Sequence, residues 1–84
     1  MAHFAELKDN VVQRIIVINN EVLGNAEGLT GEAIGIAFCK SLYGADTDWK
    51  QTSYNNNFRG RYAGVGMTYD PDKDEFNFPE IPTA

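Results

Sequence analysis

Cysteine and histidine are almost missing from these 84 residues, one of each (Cys39 and His3), and their scarcity excludes two common staples of small domains. One thiol closes no internal disulfide, and one thiol with one imidazole does not complete the ligand set of a structural zinc. Basic residues are also few. Seven Lys and Arg stand against twelve Asp and Glu, a formal charge of −5 that disfavours non-specific attraction to nucleic acid or an anionic membrane. No apolar run is long enough to span a bilayer, and the opening residues lack the basic and apolar regions of a secretory leader, so a cytoplasmic protein without a membrane partner is expected. A nucleophile elbow and a phosphate-cradling glycine loop are missing too, so no enzyme activity, catalytic residue or cofactor is expected. A single domain of this length buries only a modest fraction of its chain surface, which leaves self-association as the remaining common source of stability. A homo-oligomer is the expectation, with a dimer favoured.

What is present reads as strands around one helix. Residues 3–7 and the β-branched run Val11–Ile18 flank Lys8-Asp9-Asn10, a hairpin pattern. The second run is apolar on both alternating sets apart from Gln13 and Arg14, which places it in the middle of a sheet. Asn19-Asn20-Glu21 ends it, and a connection with a short helical turn leads to Gly28. Thr30 is a candidate helix N-cap and Gly44 a C-terminal stop. Between them Ile34, Ala37, Phe38 and Leu42 fall on one stripe, the face expected to dock on the sheet. Gly31 and Gly35 each lower helix propensity by about 1 kcal/mol relative to Ala, so the helix depends on that docking. Period-two patterning returns at Trp49–Tyr54, and Asn55-Asn56-Asn57 makes a loop. A strand from about Arg61 to Tyr69, the turn 70–74 and the strand Glu75–Phe78 form a second hairpin before Pro79 and Pro82 start a tail. The order is ββ-α-βββ: a small α+β domain over residues 1–84, a mainly antiparallel sheet with one helix on one face.

Several strings are distinctive: Met1-Ala2-His3-Phe4-Ala5, Ile15–Glu21, Trp49–Asn55, Phe58-Arg59 and Tyr62–Asp70. With them the chain resembles small proteins of marine tailed bacteriophages, notably those infecting cyanobacteria. The resemblance covers nearly the whole chain. It implies a phage context, with the host cytoplasm during infection or the virion as location, and a structural or tail-associated role rather than a reaction.

The candidate interaction surface is the loop from Asn55 to Arg61 with its neighbours, where Tyr54, Phe58, Arg59, Arg61 and Tyr62 gather aromatic and guanidinium groups. Such groups dominate protein interfaces, and they also stack on bases or grip phosphate. The leading expectation is therefore a non-enzymatic module that self-associates or docks on a larger virion or tail component. The alternative is a small binding protein for nucleic acid or a host factor, disfavoured for nucleic acid because two arginines release few counterions. Asp70, Asp72 and Asp74 copy the start of a calcium loop but lack its glycine and final glutamate, so a hairpin turn is expected instead of a metal site. Cys39 is expected to be a structural thiol, and His3 an edge-strand or flexible residue. Gly64 and Gly66, two apart on one strand, are expected to leave a face onto which an aromatic side chain packs.

Overall fold

The computed structural model describes residues 2–24, 28–54 and 58–78. The expected α+β architecture is borne out: five antiparallel strands in the order β3-β1-β2-β4-β5, with one helix packed against the sheet. Strands β1 (Ala2–Lys8) and β2 (Val11–Ile18) form the central hairpin, so β2 lies inside the sheet as its two-sided apolar pattern indicated. Their turn residues Asp9 and Asn10 have φ of 53° and 62°, the left-handed pair of a two-residue hairpin turn that short polar side chains tolerate. His3 belongs to this interior hairpin, paired with Val17 on one side and Thr52 on the other, and not to an edge strand. The register shifts between Glu6 and Leu7, a bulge that bends the hairpin.

Beyond β2, Asn19 caps a 3₁₀ turn, Asn20–Leu23, by accepting from the Glu21 N–H, and Gly24 ends it at φ 65°. Helix α1 (Glu32–Tyr43) starts one residue later than Thr30 suggested. Its N-cap is Gly31, and Thr30 belongs to the preceding 3₁₀ turn, residues 28–31. Gly44 stops the helix as expected, its N–H donating to Lys40 O.

The helix is turned the other way round from its hydrophobic periodicity. Gly35 and Cys39 face the sheet, whereas Ile34 and Leu42 are more than half exposed and Phe38 is 36 % exposed. The reason lies on the strands. Phe4 of β1 and Trp49 of β3 (Asp48–Thr52) are so bulky that the helix must offer its smallest side chains to them. They pack with Ala2, Ile18, Leu23 and Cys39 into a core under the helix.

A second core fills the opposite face of the sheet. Ala5, Leu7 and Val12 meet Ala63, Met67, Tyr69 and Phe76 there. The strand expected from Arg61 to Tyr69 shrinks to β4, Thr68–Asp70, paired with β5, Glu75–Asn77. Residues 58–67 instead cross this face as irregular chain, with Arg59, Gly60 and Gly66 at φ of 57°, 79° and 89°. The sheet curls enough for the Lys50 ammonium of β3 to lie 5.4 Å from the centre of the Tyr69 ring of β4, although β1 and β2 separate the two strands in the hydrogen-bonded order.

Neither Gly64 nor Gly66 lies in a strand, so the shared strand face expected of them does not form; Gly64 is still closely packed, a Cβ there coming 3.3 Å from Met67 Sδ, whereas Gly66 is not. Met67 N–H donates to Gly64 O at 3.0 Å, closing a turn with Gly66 at its left-handed corner, and a Cβ on Gly66 would meet nothing within 4 Å. Gly66 is there for its backbone freedom. Gly66→Ala is expected to destabilise by about 1 kcal/mol, checked by urea unfolding, purely through strain at positive φ. A value near zero would remove that account.

Candidate functional site

The five residues singled out from the sequence do not form one surface. Arg59 turns inward. Its side chain is only 6 % exposed and pairs with Glu32 at the start of α1 and with Asp74 before β5, its Nε donating to Asp74 Oδ1 at 2.8 Å. One Nη donates to Glu32 Oε1 at 3.0 Å, and the other to Glu32 Oε2 and, at 2.8 Å, to the Gln51 carbonyl of β3. Glu32 Oε2 in turn accepts the Gln51 N–H at 2.8 Å.

Together Arg59 and Glu32 supply to edge strand β3, at Gln51, the donor and the acceptor that a neighbouring strand would supply. The Arg59 carbonyl also accepts the Phe76 N–H of β5 at 3.0 Å. A single residue thus links the two edges of the sheet, β3 through its side chain and β5 through its main chain. Arg59 is a clasp.

The electrostatics follow from these contacts. Burial pushes the Glu32 carboxyl up, but hydrogen bonds from Arg59 and Gln51 outweigh it and hold the group below its ordinary value. Asp74 is held low by the Tyr69 hydroxyl and by Arg59. Burial and the Asp74 carboxylate push the Tyr69 phenol up to about 12, and Tyr69 Oη donates to Asp74. Asp70, the other end of the suspected calcium loop, accepts the Asp72 N–H at 2.9 Å and so shapes the turn. Among the described residues no group of three or more His, Cys, Asp or Glu is placed to hold a metal ion.

Tyr54 and Tyr62 come together as expected, and they do so around a residue given no functional role from the sequence. Tyr54 stacks on His3, with centroids 5.7 Å apart, and Tyr62 sets its edge against both rings at 5.5 and 5.3 Å. Burial in this cluster lowers the His3 pKa. Tyr54 remains 68 % exposed, Phe58 is half-buried, and Arg61 is exposed with its guanidinium 4.9 Å from the Phe78 ring centre. Residues 55–57 of the same loop lie outside the described residues.

Cys39 is fully buried under the helix, and burial raises its thiol to about 11. A cleft of about 480 Å³ runs between α1 and β3, with Trp49, Lys40, Lys50, Asp48 and Tyr69 among its lining residues. Neither Cys39 nor His3 lines it.

The surface that sequence reasoning missed is the outer face of α1. Ile34, Phe38 and Leu42 recur every four residues, and the row beside them is Ala33, Ala37 and Ser41, all exposed. No charge interrupts these six positions. The one trace of it in the sequence is the pair Gly35 and Cys39 on the opposite side of the helix, and these read as the inward face only once Phe4 and Trp49 are known to fill the space beneath. No helix among the described residues is long and apolar enough to cross a membrane. No protein-family model, curated protein or solved structure matches this chain.

Proposed function

We propose that this chain is a non-enzymatic structural or interaction module of bacteriophage origin, acting by self-association or by docking onto a larger virion or tail component. The observation that carries the interaction is the outer face of α1, where Ile34 is 51 % and Leu42 60 % exposed beside Phe38. Single exposed apolar side chains are ordinary, but a contiguous row on a regular helix is the pattern that partners cover. The phage origin, and with it the host cytoplasm or the virion as location, rests on the sequence resemblance alone. Mass spectrometry of purified particles tests that part.

The association is tested by sedimentation. Wild-type protein is expected to associate reversibly between micromolar and millimolar concentration, and Phe38→Asp at the centre of the row to weaken this by about 2 kcal/mol or more without loss of helical circular dichroism. A wild-type chain that is monomeric throughout, together with no particle association, would sink the reading.

A second reading, binding of nucleic acid or a host factor, is favoured by the Tyr54–His3–Tyr62 cluster with Arg61 nearby. Arg59 cannot serve it, because its guanidinium is engaged inside the fold. A steep loss of oligonucleotide affinity with salt, abolished by Tyr54→Ala, would support it.

A further inference from the structure

We infer that the cleft between α1 and β3 is a binding site for a small organic monoanion, a carboxylate with an apolar body. The site is separate from the outer face of α1 and does not depend on the chain's being an interaction module.

The cleft follows from how the edge of the sheet is closed. Glu32, Ile36 and Lys40 recur every four residues along the flank of α1 beside β3. Glu32 seals the strand edge at Gln51 together with Arg59. Beyond that seal the edge opens into the cleft, whose volume of about 480 Å³ lies within the range of roughly 300–1,000 Å³ typical of ligand pockets. The two cores approach each other here around the last strand. Trp49 and Ile36 come from the core under the helix, Leu7 and Tyr69 from the core on the opposite face, and Pro71 adds a further apolar wall. An apolar body of a few carbons leaves water by entering.

The polar lining selects the head group. Lys40 of α1 and Lys50 of β3 both reach the cleft, in a chain with only seven basic residues and a net charge of −5. Among the described residues neither ammonium is in an ion pair, unlike the guanidinium groups of Arg14 and Arg59. Lys50 lies 5.4 Å from the centre of the Tyr69 ring, whose face attracts the ammonium without occupying its three donors as a carboxylate would. Glu32 and Asp74, which also feel the charge of Lys50, are already held by Arg59. Asp48 lines the cleft as well, so two ammonium groups against one carboxylate leave a single positive charge among the described lining residues. A monoanion balances that charge. A phosphate dianion would exceed it and be repelled by Asp48, and the same lining offers no guanidinium fork to hold one.

Trp49 is the only tryptophan of the chain, so its fluorescence reads occupancy directly. Titration of the intact protein with hexanoate is expected to give a saturable change, and hexanamide, the same body without the charge, to bind at least about tenfold more weakly. Lys40→Ala and Lys50→Ala are each expected to weaken hexanoate about fivefold, the upper end for a partly exposed ion pair. Asp48→Asn should tighten it by a similar factor. That gain is not imitated by loss of folding, so it decides the matter even where a lysine variant loses stability in urea. Inorganic phosphate should displace hexanoate only weakly. Hexanoate and hexanamide binding alike, or all three variants binding like wild type, would remove the charged groups from the site and overturn the ligand class. Phosphate competing on equal terms would leave an adventitious ion only. No saturable change with hexanoate would overturn the site itself, while the outer face of α1 would still be judged by sedimentation.

Discussion

Gly35→Ala is expected to destabilise the protein by about 2 kcal/mol, and Gly35→Val by about 3 kcal/mol, although both residues are better helix formers than glycine. On an exposed helix the alanine substitution would gain about 1 kcal/mol, so the sign itself is the test. The opposing term is steric. A Cβ on Gly35 would lie 2.6 and 2.7 Å from two Phe4 ring carbons and closer still to Cζ. Phe4 is fully enclosed and the interior is close-packed, so the ring has nowhere to go without moving Trp49 or the helix. Phe4→Leu, which removes the ring atoms in question, should lose stability alone but rescue part of the Gly35→Ala loss. A double-mutant cycle by chemical denaturation is then expected to show a favourable coupling above about 1 kcal/mol. Gly35→Ala with unchanged or raised stability would mean that helix and sheet are not in this contact.

This same contact explains what the sequence made legible and what it hid. The β1–β2 hairpin was readable because its signals are local: a β-branched run, two turn residues that tolerate left-handed φ, and apolar side chains on both faces for the two cores that Ile15 and Ile16 respectively join. The end of the helix at Gly44 was readable on the same terms. The orientation of the helix was not. Hydrophobic periodicity points Ile34, Phe38 and Leu42 inward, and only knowledge that Phe4 and Trp49 already occupy the space reverses it. Local propensity also misled in the last third. The run from about Arg61 to Tyr69 looks like a strand, but Gly66 sits at a left-handed corner and Thr52 Oγ1 accepts the Ala63 N–H at 2.9 Å, holding residues 61–67 across the sheet as loop.

The loop surface expected from the sequence was legible in its aromatics and illegible in its arginines. Tyr54 and Tyr62 flank the loop and meet, whereas the partners of Arg59 lie 27 residues before it and 15 after it. No spacing rule connects positions that far apart. An arginine beside a glycine in a polar loop reads as a surface group until the curl of the sheet puts two edges within its reach.

Arg59→Met is therefore expected to act on the fold, with a loss of about 3 kcal/mol in urea unfolding, the lower end of what breaking a buried ion pair costs. The lower end applies because Asp74 is 52 % exposed and recovers water, while Glu32, at 18 %, is left largely enclosed without its counterion. Arg59→Lys should recover only part of this, since one ammonium cannot reach both Glu32 oxygens, the Gln51 carbonyl and Asp74 together. The pH dependence separates lost charge pairing from lost packing. Glu32 and Asp74 both have folded pKa values below their unfolded ones, so their contribution is complete above the ordinary carboxylate range and disappears as pH falls through the depressed values. Wild-type stability should fall on acidification, and the difference between wild type and Arg59→Met should shrink with it. A difference that stays constant down to strongly acid pH would assign the effect to packing alone. There is a second consequence at the edge of the sheet. Without Arg59 the Gln51 carbonyl on β3 loses the guanidinium that donates to it, and Glu32, which accepts the Gln51 N–H, loses the counterion that fixes its position, so edge-to-edge pairing of chains becomes easier. The variant is thus expected to aggregate more readily than Gly35→Ala brought to the same stability, measured by light scattering, and equal aggregation of the two would show that Arg59 stabilises the fold without guarding its edge.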